Sequence, residues 1–87
     1  MRKKLTIHGE LADGGVKYVA QRYAMQMHLT GVSSRGADGT VVIEIQGPED
    51  KLQQFKDEIA KGSQFFTVTS IDEVEIPEVS EKMFRVG

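Results

Sequence analysis

The sequence contains no cysteine. That absence removes disulfides, thiolate metal sites and a thiol nucleophile together. Long apolar runs are missing too, and nothing approaches the roughly 18 apolar residues that a membrane span needs. The basic start Met1-Arg2-Lys3-Lys4 is not followed by the apolar stretch of a signal peptide. No membrane partner is expected, and the cytoplasm is the expected location. A strong excess of positive charge is also lacking. The formal charge is −2 and the pI is near 5.6, which argues against a general nucleic-acid binder, whose affinity comes from neutralising phosphates.

What is present suits one small folded domain. Of the 87 residues, 39% are hydrophobic and 28% charged, an ordinary balance for a globular chain rather than a disordered one. The length serves one core and is too short for two. A single domain over 1–87 is expected, and a monomer.

Leu5 and Ile7 alternate with Lys4, Thr6 and His8, the pattern of a half-buried strand. The stretch Gly9 to Gly15 breaks that alternation with glycines. From Val16 the period changes: Val16, Val19, Ala20, Tyr23, Ala24 and Met27 fall on one face of a helix that should end near His28. Tyr18 and Tyr23 are expected to pack beside its turns. Thr30 to Arg35 is a polar strand candidate, and Asp38-Gly39 is a hairpin dipeptide that tolerates positive φ. Val41, Ile43 and Ile45 alternate clearly with Val42, Glu44 and Gln46.

Gly47-Pro48-Glu49-Asp50 then signals a helix start, with proline and acids in its first turn. Leu52, Phe55 and Ile59 form that helix's stripe, and Gly62 its stop. Phe66, Val68, Ile71, Val74 and Ile76 describe a further strand whose alternation slips between Val68 and Ile71, which predicts a bulge. Phe84 and Val86 suit a short last strand. The order βαββαβ predicts an α+β, ferredoxin-like sandwich, with two helices on one face of a mainly antiparallel sheet of four to five strands. An RNA-recognition domain shares this order but needs aromatic stacking residues on its central strands, and Thr40 to Gln46 has none.

The chemically suggestive segment is Gly9-Glu10-Leu11-Ala12-Asp13-Gly14-Gly15-Val16-Lys17. It joins a strand to a helix N-terminus and carries a cation at once, a place where backbone N–H groups and the helix dipole attract anions. Elsewhere the titratable residues do not converge. His8 and His28 lie on different elements, and the acids of Asp57-Glu58 and Asp72-Glu73-Glu75 suit wet faces rather than a metal site. No metal and no cofactor are expected.

Taken together, the segments Gly9 to Lys17, Leu29-Thr30-Gly31, Asp38-Gly39-Thr40-Val41 and Gln46-Gly47-Pro48-Glu49 resemble the acylphosphatase family. That family carries a Gly-x-Val-Gln-Gly-Val-Gly-Phe-Arg loop, a Gly-Trp-Val-x-Asn strand, an Asp-Gly-Thr-Val hairpin and a Gln-Gly-Pro-Glu helix entry. The match needs no gap from Gly9 to Ile71. The resemblance implies hydrolysis of the carboxyl–phosphate bond of acyl phosphates without metal or cofactor. It implies a phosphate-binding loop at Ala12, Asp13, Gly14, Gly15, Val16 and Lys17, and a small acyl phosphate or phosphate-like anion as partner. In the family an arginine grips the phosphate and an asparagine orients the attacking water.

Here the arginine position is Lys17 and the asparagine position is Arg35. Lysine keeps the charge but loses the planar fork that holds two oxygens at once. Arginine has donors only and cannot accept a hydrogen bond from water, as an asparagine carbonyl does. Asp13 also places a carboxylate among the loop amides; at about 6 Å from a unit anion its repulsion is roughly 3 kcal/mol at an effective dielectric of 20. Impaired or absent ordinary hydrolysis is therefore expected at Lys17 and Arg35. The alternative is a non-catalytic anion- or partner-binding module on the same fold.

Overall fold

Leu5 and Ile7 alternate with polar neighbours, and in the computed structural model they form the buried face of a nine-residue strand, β1 (Arg2–Glu10). The structure describes residues 1–11 and 15–87. Helix α1 (Gly15–Gln26) follows, then β2 (Thr30–Arg35), β3 (Val41–Gln46), α2 (Glu49–Ala60), β4 (Thr67–Ile76) and β5 (Phe84–Val86). The strands form one sheet in the order β4-β1-β3-β2-β5. Strand β5 runs parallel to β2, and every other neighbouring pair is antiparallel. This is the ferredoxin-like α+β arrangement, extended by β5 at one edge.

The core lies between the sheet and the two helices. Leu5, Ile7, Val41, Ile43 and Ile45 face it from the strands, Val16, Ala20 and Ala24 from α1, and Leu52, Phe55 and Ile59 from α2. Burial of each large aliphatic side chain here contributes about 1.5–3 kcal/mol. Tyr23 and Met27 pack against this core. Tyr18 does not, and stands 64% exposed. It lies two residues from both Val16 and Ala20, about 200° around the helix from each, and so points away from the buried stripe.

Local chemistry fixes the ends of the elements. Helix α1 stops at Gln26, because His28 turns left-handed at φ 58. The His28 N–H donates to the Met25 carbonyl at 3.3 Å and the Leu29 N–H to that of Ala24 at 2.8 Å, the paired bonds of a helix-ending Schellman motif. Pro48 stands one step outside α2, with ψ 143, so the expected acids Glu49 and Asp50 occupy the first turn and the proline does not. Between β2 and β3, Asp38 and Gly39 both take positive φ, 56 and 77, as the dipeptide predicts. The slip in β4 is a bulge: His8 pairs with Ser70 while Gly9 pairs with Val68, so Thr69 has no opposite number. At that point Gly9 has φ 152, and a Cβ there would lie 1.9 Å from the Thr67 carbonyl oxygen.

Two ionic clusters tie the layers. Arg2, only 4% exposed, donates to Glu81, to Glu44 at 3.0 Å and to Gln46 at 3.2 Å. Gln46 in turn exchanges two hydrogen bonds with the Val79 main chain, at 2.8 and 3.0 Å. These contacts hold the stretch between β4 and β5 across one end of the sheet. Burial alone would lower the Arg2 pKa, but its bonds to Glu81 and Glu44 outweigh that and raise it. On the helix side, Glu73 of β4 accepts from Lys3 of β1 at 2.8 Å and Lys56 of α2 at 3.1 Å. These two bonds hold the Glu73 carboxyl below its ordinary range.

Gly9→Ala is expected to lower stability by about 2–3 kcal/mol in urea unfolding, because two backbones have to part to admit one methyl; an unchanged midpoint would contradict so close an approach. The lowered Glu73 pKa means that its contribution is complete above the ordinary carboxyl pKa of 4.5 and fades as pH falls through the folded value. Glu73→Gln should therefore cost at most about 1 kcal/mol at neutral pH and nothing measurable well below that range. Equal losses at both pH values would rule out the linkage.

Candidate anion site

The segment between β1 and α1 is pinned at both ends by core side chains. Leu11, 2% exposed, anchors its start, and Val16, with no exposed surface, anchors its end. Ala12, Asp13 and Gly14 lie outside the described residues, and with them the centre of the expected phosphate loop. The first-turn N–H groups of a helix have no carbonyl partner four residues back, and their dipoles sum to a partial positive charge there. Helix α1 places no acidic residue in its first turn, Gly15 to Lys17 among them, so its own side chains do not offset that charge.

Lys17 and Arg35 approach this segment from different elements. From the first turn of α1, Lys17 sends its Nζ to the Gly87 carbonyl oxygen at 2.9 Å. Gly87 is held in turn by its N–H, which donates to the Ser33 carbonyl at 2.6 Å on β2. Arg35, at the end of β2, donates from Nη1 to the Leu11 carbonyl at 3.2 Å. The structure thus brings the two expected cations to opposite ends of the β1–α1 segment, each donating to a main-chain oxygen. Among the described residues no Asp or Glu side chain forms an ion pair with Lys17.

Sequence reasoning missed three parts of this arrangement: the Leu11 carbonyl, Gly87 and Ser33. The first is main chain, which carries no sequence signal. Gly87 reaches Lys17 only through the parallel pairing of β5 with β2, a contact between distant segments. Ser33 is completely buried and, among the described residues, its Oγ has no hydrogen-bond partner. A polar serine in a weakly hydrophobic strand suggests a wet position, not a core one.

The two histidines are not brought together. His8 Nε2 lies 2.8 Å from Asp72 Oδ2 across β1 and β4, while His28 ends α1 as described. Among the described residues no group of three or more His, Cys, Asp or Glu could hold a metal ion. Nor is any described helix long and apolar enough to cross a membrane.

This fold recurs in known proteins. The acylphosphatase family model matches residues 3–86. An acylphosphatase of Clostridium perfringens is 34% identical over 85 residues, covering 97% of this chain and 96% of its own. One of Geobacillus kaustophilus is 36% identical over 87 residues, covering 98% and 92%. The crystal structure of acylphosphatase from Bacillus subtilis superposes with a TM-score of 0.89 at 29% identity, over 99% of this chain and 97% of that one. With its sheet order, its two helices and near-complete coverage in both directions, the chain belongs to the acylphosphatase family.

Proposed function

We propose that this chain binds acyl phosphates or phosphate-like anions at the β1–α1 segment with Lys17 and Arg35 as its two cations, and hydrolyses acyl phosphates poorly or not at all. One observation carries the reading: Arg35, where the family keeps its water-orienting asparagine, sends a guanidinium to the entry of that segment at the Leu11 carbonyl.

The chemistry follows from what each group offers. Hydrolysis adds water to phosphorus and releases a carboxylate, so the site must hold phosphate oxygens and aim a water at the opposite side. Holding is well provided for. The first turn of α1 supplies a positive end, and Lys17 can turn its ammonium from the Gly87 main-chain oxygen to a phosphate oxygen. The ammonium–phosphate bond is ionic at both ends. Arg35 adds a planar fork that suits two phosphate oxygens. Aiming is not provided for at position 35, since a guanidinium has no lone pair to accept a water hydrogen. Phosphate is bound, and the nucleophile is left undirected.

Benzoyl phosphate hydrolysis and inorganic phosphate binding, measured side by side, test both halves. The protein should bind phosphate, with affinity reduced about tenfold in Lys17→Ala or Arg35→Ala, and should show little turnover. Restoring the family residues together, Lys17→Arg with Arg35→Asn, should raise turnover by on the order of 10²-fold, the scale of a positioning defect. Brisk turnover in the unaltered protein, lost in both alanine variants, would instead show Lys17 and Arg35 sharing an active mechanism. Phosphate affinity indifferent to both alanine substitutions would remove the site altogether.

A further inference from the structure

A cavity of about 400 Å³ opens between the end of α1, the start of β2 and the residues that lead into β5. This volume falls within the about 300–1,000 Å³ of typical small-molecule pockets. Its apolar surface comes from Leu29 and Phe84, each 3% exposed, and from Met25 and Met83, which stand 64% and 63% exposed at its rim. Exposed methionines are unusual, and their unbranched, polarizable side chains adapt to ligands of different outline. Lys82 supplies the lining cation, His28 and Thr30 add polar groups, and among the described residues no carboxylate lines the cavity.

The walls are held by the main chain rather than by one another's side chains. The Schellman motif fixes His28, and the Gly31 N–H donates to the Met83 carbonyl at 3.2 Å. Met83 therefore keeps its backbone in place while its side chain remains available. The cavity is separate from the anion site. Lys17 opens α1 and Met25 lies near its other end, about 12 Å of helix away.

We propose that this cavity is a second binding site, for a small amphiphilic anion: an apolar or aromatic body with one carboxylate, sulfonate or phosphate directed at Lys82. The apolar floor and methionine rim take the body, and the lone lysine selects the charge. A cation would meet Lys82 with no acid among the described lining residues to offset it. A fully polar anion would leave Phe84 and the methionines unused.

Anilinonaphthalene sulfonate is a suitable probe, titrated against nitrogen-labelled protein while amide shifts are followed. The expected result is saturable binding with shifts centred on Met25, Thr30, Met83 and Phe84 and native dispersion elsewhere. Lys82→Ala should weaken it about 3- to 5-fold, the scale of one partly exposed charge contact. Met83→Gln, at a side chain too exposed to threaten the fold, should weaken it by at least as much. Excess inorganic phosphate should leave the affinity unchanged whether or not phosphate binds near Lys17, so this result stands apart from the hydrolysis experiment. Absence of binding, shifts centred on Lys17 or the open sheet face, displacement by phosphate, or indifference to both substitutions would each overturn the proposal.

Discussion

A guanidinium taken out of water has to be met on every side, and the packing around Arg2 follows from that requirement. Leaving such a charge buried without partners would cost several kcal/mol. Arg2 meets Glu44 from β3, Glu81 from the stretch between β4 and β5, and the amide of Gln46. The chain must leave β4 at one edge of the sheet and reach β5 at the other. Arg2 supplies the fixed point over which it passes, and Gln46 pins the same stretch through the Val79 main chain. Apolar residues would hold these layers as tightly, but they would not specify which carboxylate crosses here.

That crossing reaches as far as the candidate anion site. Once Glu81 is held, the chain arrives beside β2 in register, with Gly31 opposite Phe84 and Ser33 opposite Val86. This register places the Gly87 carbonyl where Lys17 meets it. Phe84 at the start of β5 closes the floor of the apolar cavity, and Gly87 just beyond its end touches Lys17. A three-residue strand therefore stands between two places of different chemistry.

Much of this was legible in the sequence, and the exceptions have physical causes. The second helix could be read almost residue by residue, because Glu49 and Asp50 mark its start, Gly62 its end, and Leu52, Phe55 and Ile59 its only apolar face. The bulge opposite Gly9 showed as a slip in alternation. Strand β2 was fainter, since its two buried positions are Gly31 and Ser33 and carry little hydropathy. Tyr18 misled because an aromatic residue near a helical stripe looks apolar enough to pack, whereas its angular position decides the matter. The anion site was only half legible. Lys17 and Arg35 could be placed through the family resemblance, but no local pattern announces that a lysine amine will rest on a carbonyl seventy residues further on.

That long-range contact has a bearing on how the protein assembles. Strand β5 pairs with β2 across more than fifty positions, and β1 with β4 across still more. Pairings that close such long loops carry a larger entropy of closure than nearer contacts do. Helix α1, the β2–β3 hairpin and α2 rest on nearer neighbours and can form earlier. Lys17 would then sit on a formed helix, its amine still sampling solvent, until the crossing over Arg2 closes and β5 docks. The anchoring of Lys17 thus depends on a pairing between distant segments, and a chain in which β5 had not docked would carry helix α1 without its anchored lysine.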